Sequence, residues 1–225
     1  MAVAEAPCPN PYFPLENGLK LTYRAGRSSE LTLSTQGVTA VPEGVKGLLA
    51  VELKGKRGET EAFCTSEGVR TGLGGLEGTL LSASGMQVEV VSSEGVVVPP
   101  SVNMVPGSVW RNSLSVKMQP PESAKMPGMV IATTFDKEAT VVGEEEVTVG
   151  AGTFKAVKVK NTTTARASRP GAKGRQIDSF IWFAPGVGII KVSTGDSTDL
   201  ELLKVDRPVA AQKAPVANKK ATKKL

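Results

Sequence analysis

Leu19, Leu21 and Tyr23 alternate with Lys20, Thr22 and Arg24, and the same two-residue period returns far downstream, where Val157 and Val159 alternate with Lys158 and Lys160. Alternation of this kind puts the apolar groups on one face of an extended strand and the charges on the other. Between these segments the apolar runs are short and cut by glycine. Strands are expected near Leu31 and Leu33 and over residues 46–54, 59–65, 67–72, 79–83 and 86–91, with Gly55, Gly58, Gly68, Gly74, Gly75, Gly78 and Gly85 falling between them. A proline-rich crossover, Val96 to Pro100 and Val105 to Trp110, leads into a strand ending near Met118; residues 119–128 read as a loop, and a long strand as running from Met129 to Val142. The last strands are separated by turns at Gly150 to Gly152 and Ala184 to Gly188, with a protruding hairpin tip between Asn161 and Arg175. The fold class expected is therefore all-β: one long, strongly curved antiparallel sheet, a half-barrel or open-barrel meander, with few or no helices.

Composition agrees with this pattern and divides the chain. Of 225 residues 24 are glycine and 15 proline, as turn-rich β proteins require, and 40% are hydrophobic, enough for one substantial core. Pro9, Pro11 and Pro14 exclude a helix from residues 1–18, which read as an extended lead-in. Residues 19–205 form the β domain, divisible at the crossover into 19–98 and 105–205. Residues 206–225, rich in Ala, Lys, Pro and Val and lacking aromatics, are expected to be a disordered tail. The net charge of +5 belongs to that tail, which holds six basic residues and Asp206, leaving residues 1–205 balanced. No run of about 18 apolar residues is present to cross a membrane as a helix.

The chain contains no histidine, which removes the commonest general base and with it Ser-His-Asp, Cys-His and His-Glu-x-x-His chemistry. The Gly195-Asp-Ser197 stretch reads as a polar turn. The Gly72 to Gly78 stretch carries Glu77 where a dinucleotide loop needs its third glycine, and has no βαβ context. Asp196, Asp199 and Glu201 read as solvated charges at a strand entrance and match no calcium loop. No catalytic residue, cofactor or metal site is expected, and the chain reads as a non-enzymatic protein that acts by binding or assembly.

Three groups of residues remain as candidates. A curled sheet with an apolar inner face either fills with its own side chains or holds an apolar guest; Trp110, Phe180, Trp182, Phe183, Ile189 and Ile190 are candidates for that surface. Lys213, Lys219, Lys220, Lys223 and Lys224 offer polyanions a basic tail, which suits a second reading, a cytoplasmic polyanion-binding protein. Cys8 and Cys64 have no Cys-x-x-Cys spacing; they are either a disulfide pinning the N-terminal segment to the sheet or two separate thiols. Open sheet edges are also able to recruit a second chain into a homo-oligomer.

Several phrases carry a resemblance. Val147-Thr-Val-Gly-Ala-Gly-Thr-Phe-Lys-Ala-Val-Lys-Val159 and Trp182-Phe-Ala-Pro-Gly-Val-Gly-Ile-Ile-Lys191, with Pro106-Gly-Ser-Val-Trp110 at the centre and Tyr12-Phe-Pro-Leu-Glu-Asn-Gly18 at the entry, resemble the recurrent phrases of a family of uncharacterised bacterial cell-envelope domains. The sheets of that family look like those of the Lol lipoprotein carriers. The resemblance implies a periplasmic or cell-surface protein with an envelope partner or an apolar ligand. Two readings of the N-terminus stand beside it: a cytosolic start at Met1, or a removed signal whose cleavage site survives as Ala2-Val3-Ala4. Pro7 replaces the small residue that precedes an acylated cysteine, so lipidation of Cys8 is not expected.

Overall fold

The structure, a computed structural model, describes residues 8–83, 85–120, 128–168, 171 and 173–208. Five strands come first: β1 (Lys20–Ala25), β2 (Ser29–Val41), β3 (Gly44–Leu53), β4 (Lys56–Thr65) and β5 (Gly68–Thr71). A helix, α1 (Leu76–Ala83), leads to β6 (Gln87–Gly95), and a 3-10 turn at Ser101–Asn103 leads to β7 (Val109–Gln119). The chain ends with β8 (Ile131–Val149), β9 (Gly152–Ala167), β10 (Arg175–Ala184), β11 (Gly188–Thr194) and β12 (Ser197–Asp206).

All twelve strands belong to one antiparallel sheet in the order β5-β4-β3-β2-β1-β12-β11-β10-β9-β8-β7-β6. The chain enters the sheet at its middle, meanders out to one edge, crosses by α1 to the far edge, and meanders back until β12 lies beside β1. Right-handed strand twist curls so long a sheet on itself, and here the two edges meet. Val69 in β5 bridges to Val98, just beyond β6, so the sheet is nearly closed into a barrel. The hydroxyl of Ser93 in β6 also donates to the carbonyl of Thr71 in β5 at 3.2 Å, while Val90 and Val91 of β6 stay open to solvent.

The alternation read in the sequence sets which side chains point inward. Leu21, Tyr23 and Leu31 are buried, Tyr23 pairing across the strands with Leu31, while Lys20 and Arg24 face solvent. The register shifts at several points of the sheet, and two of these bulges bear on the candidate residues. In β8 the register steps between Val141 and Gly143, leaving Val142 as the extra residue. In β11 Lys191 pairs with Trp182 and Ile189 with Phe183, leaving Ile190 as the extra residue.

One end of the barrel is covered by the N-terminal segment. Cys8 is joined to Cys64 of β4 by a disulfide, with Cα atoms 5.6 Å apart. Asn10, 2% exposed, donates through Nδ2 to the carbonyl of Pro99 at 2.7 Å and accepts from the amide of Tyr12. Gly186 donates its amide to the carbonyl of Pro11, and Asn17 accepts from the amide of Val38. Phe13 and Leu15 pack into the adjoining core with Val45, Cys64 and Phe183. A segment whose prolines forbid both helix and ladder pairing is thus held by its side chains and isolated backbone bonds.

Three expectations are corrected. Residues 79–83 are not a strand but the end of α1. The amide of Thr79 donates to the carbonyl of Gly75, and its hydroxyl donates to the same carbonyl at 3.0 Å. A short apolar run has no period that separates helix from strand; here a helix lets neighbouring Leu80 and Leu81 reach two different walls. The strand expected to stop at Val142 continues to Val149, because the bulge absorbs Val142 and the acidic segment pairs with β9. At the C-terminus β12 reaches Asp206, and Arg207 donates to Glu16 at 2.9 Å and to the carbonyl of Gly186. The chain is therefore held two residues past the boundary suggested by composition. Among the described residues no helix is long and apolar enough to cross a membrane.

Candidate functional site

Between the covered end and α1 the barrel encloses a cavity of about 520 Å³, within the range of ~300–1,000 Å³ usual for small-molecule sites. Its walls differ. The β1–β3 wall contributes Leu21, Tyr23, Leu31, Leu33, Leu49 and Leu53, and Phe13 and Pro14 form the floor. The opposite wall, β7–β11, mixes Trp110, Phe135, Ile181, Phe183 and Ile189 with Lys137, Asn161, Thr163 and Ser179.

The strand register orders the mixed wall into layers. Val141, Val159 and Ile181 lie in one row across β8, β9 and β10. Two residues nearer the mouth the row is Trp110, Ala139, Asn161 and Ser179; two further on it is Asn112, Lys137, Thr163 and Ile177. From Phe183 by the floor to Ile177 is six residues of β10, about 20 Å of strand at ~3.3 Å per residue. Strand tilt makes the depth along the barrel axis shorter. The interior thus runs from an apolar floor to a polar belt below the mouth.

Helix α1 sits in that mouth. Leu80 packs with the Leu21, Tyr23 and Leu31 side of the interior, while Leu81 packs with Leu114, Val116 and Met118 of β7. Its approach is a glycine turn: Gly75 donates its amide to the hydroxyl of Thr71 at 2.7 Å, and Asn112 donates through Nδ2 to the carbonyl of Gly74. Gly74 has φ +64, a left-handed conformation, and a Cβ there would press on Leu114 at 3.0 Å.

Two polar features of the interior stand out. Tyr23 is wholly buried and donates its hydroxyl to the carbonyl of Ile189 at 2.8 Å; desolvation raises its pKa well above the ordinary phenol value. Asn161 is 3% exposed, lines the cavity, and makes no side-chain hydrogen bond among the described residues. Among the described residues no fully buried side-chain N or O atom lacks a partner, so the Asn161 amide opens onto the cavity, where solvent or a guest meets it.

The aromatic candidates separate by face. Trp110, Phe183 and Ile189 line the cavity. Phe180 and Trp182, one residue out of phase with Ile181 and Phe183, point to the outer face. There Lys158 stands 5.0 Å above both rings, Lys191 stands 5.0 Å above Trp182, and the Trp182 indole donates to Glu145 at 2.5 Å. Ile190, the extra residue of the bulge, is fully buried with Trp182, Ala184 and Leu202. None of these three lines the cavity, a correction that follows from counting strand parity through Phe180–Ile190. The leucines of β1–β3 and the belt of Lys137, Asn161 and Thr163 are absent from the sequence-based candidates; Asn161 and Thr163 continue the period-two phase of Val157 and Val159 in β9, which is the signal for them, whereas Lys137 joins them only through the β8–β9 register.

The remaining candidates lie elsewhere. Lys213, Lys219, Lys220, Lys223 and Lys224 fall outside the described residues. Glu201 accepts from Arg24 and from the amide of Gly150, where the β8–β9 turn folds over β12. Asp178 on the outer face accepts from Thr162 and Lys160, which holds its carboxyl below the usual range.

No curated protein matches the chain significantly. Two crystal structures share its fold. A presumed lipoprotein from Parabacteroides distasonis superposes with a TM-score of 0.59 at 16% identity, covering 88% of this chain and 99% of its own. A presumed exported protein of YmcC-like fold from Bacteroides fragilis gives 0.50 at 16% identity, covering 87% and 99%. At such identity the likeness is one of fold. A sequence profile, however, matches residues 53–199, well over half of the chain and including α1 and the whole mixed wall of the cavity, and the chain belongs to the DUF3108-like family.

Proposed function

We propose that this protein is a non-enzymatic component of the bacterial envelope that binds an apolar or amphiphilic small molecule inside its barrel. The cavity carries the reading: about 520 Å³ walled largely by leucine, isoleucine and aromatic side chains, in a chain without histidine. A sheet this long fills with its own side chains unless an interior is kept open for something. The Cys8–Cys64 link suits an oxidising compartment. The names of the two fold relatives, a lipoprotein and an exported protein, point the same way for those proteins. Fold alone assigns no ligand, so the reading rests on the interior.

The test is titration of the purified protein with N-phenyl-1-naphthylamine, whose emission rises in apolar surroundings. Saturable binding is expected, and its loss in Leu33→Trp, which fills the cavity from the β2 wall while leaving the β circular dichroism unchanged. Emission that never saturates, or that is the same in the filled variant, would overturn the proposal.

A further inference from the structure

We infer that the ligand is a single-chain amphiphile with a compact anionic head, seated tail-down with the head at Lys137; this rests on the proposed binding function and adds the ligand class. Four observations carry it. Lys137 is the single cation among the described residues lining the cavity, and it lies in the polar belt rather than at the floor. Thr163 is its direct cross-strand neighbour on β9. One row deeper, Asn161 and Ser179 face each other across β9 and β10, and the Asn161 amide, 3% exposed, has no side-chain hydrogen bond among the described residues. An ammonium, an amide donor and two hydroxyls on adjacent rows are the complement of an anion's oxygens.

The shape of the interior fixes the rest. Below the belt the lining is apolar down to Phe183 and Pro14 except for Thr35, so a tail entering there meets mainly hydrocarbon and aromatic surface. A cavity of about 520 Å³ stands in the lower half of the usual range for ligand sites, which suits one chain rather than two. Asp199, the single carboxylate among the described lining residues, is on β12, across β11 from the belt. It repels an anionic head from the β12 side and so favours the Lys137 side.

The experiment compares palmitate, hexadecyl phosphate and hexadecanol as competitors of the naphthylamine probe in wild type, Lys137→Met and Asn161→Leu. Wild type is expected to bind the two anions about ten- to a hundredfold more tightly than the alcohol, the worth of a hydrogen bond to a charged group. Lys137→Met should abolish that preference, the two anions then binding no more tightly than hexadecanol does to the same variant, and Asn161→Leu should reduce it. Palmitate and the phosphate distinguish a carboxylate head from a phosphate one. Equal affinity for all three in wild type, or a preference intact in both variants, would overturn the head-group assignment and leave the apolar site standing. Failure of the probe itself to bind would remove both.

Discussion

Val69 donates its amide to the carbonyl of Val98 at 2.8 Å and accepts from the amide of Val97 at 2.8 Å, and this pair joins the two edges of a twelve-stranded sheet. Both valines are buried against Val45, Val141 and Phe183. The backbone bonds and the packing therefore stabilise the same closure.

Gly68, next to this bridge, has φ +123, and a Cβ there would stand 2.6 Å from the carbonyl oxygen of Val98. Gly68→Ala should strain the backbone and push the edges apart, costing about 1–3 kcal/mol. A fall in the urea midpoint of that size is the expected outcome. An unchanged midpoint would show that the edges meet without this approach.

The Cys8–Cys64 link closes a loop of 56 residues. On the chain-entropy account its removal costs about 4 kcal/mol. Cys8→Ala/Cys64→Ala should lower stability by that order and abolish the effect of added reductant. Two thiols titrating in native, unreduced protein would contradict the link.

Tyr23 gives the protein an alkaline limit. Its folded-state pKa is raised by burial above the unfolded value of about 10. The unfolded chain therefore loses the phenol proton first, so the stabilisation is complete below pH about 10. It is lost above that, at up to ~1.4 kcal/mol per pH unit. Tyr12, raised in the same direction mainly by burial, adds to this limb. Tyr23→Phe should flatten the alkaline fall while costing about 1 kcal/mol at neutral pH for the lost bond to Ile189. An alkaline limb of equal steepness in the variant would refute the assignment.

Replacing glycine by alanine inside a helix normally stabilises. Gly78 in α1 reverses the sign: a Cβ would lie 1.8 Å from the carbonyl oxygen of Leu73. Gly78→Ala should destabilise by more than about 1 kcal/mol, measured by urea denaturation. A stabilised variant would mean that α1 does not pack on its own approach turn.

What was legible in the sequence follows from where period two is unbroken. Leu19 to Tyr23 and Val157 to Lys160 give both the strand and its inward face. Around Ile190 and Val142 one extra residue per strand shifts the phase, and bulges leave no composition mark of their own. Aromatic character alone groups Phe180 and Trp182 with Phe183, whereas parity within β10 separates them. The run Thr79 to Ala83 is too short for a period, and only contact with both walls makes it helical. The cavity was legible as a possibility of any curled sheet; the Lys137 to Asn161 belt was not, because pairing β8 with β9 requires the register.

The two tryptophans of this chain measure the central claim directly, since Trp110 lines the cavity and Trp182 faces outward under Lys158 and Lys191. Bromine on an aliphatic chain quenches indole emission only at close range. Titrating Trp182→Phe and Trp110→Phe with a dibrominated stearate should therefore quench Trp110 strongly and saturably and leave Trp182 bright. Equal quenching of both, or none of Trp110, would contradict a ligand held inside the barrel.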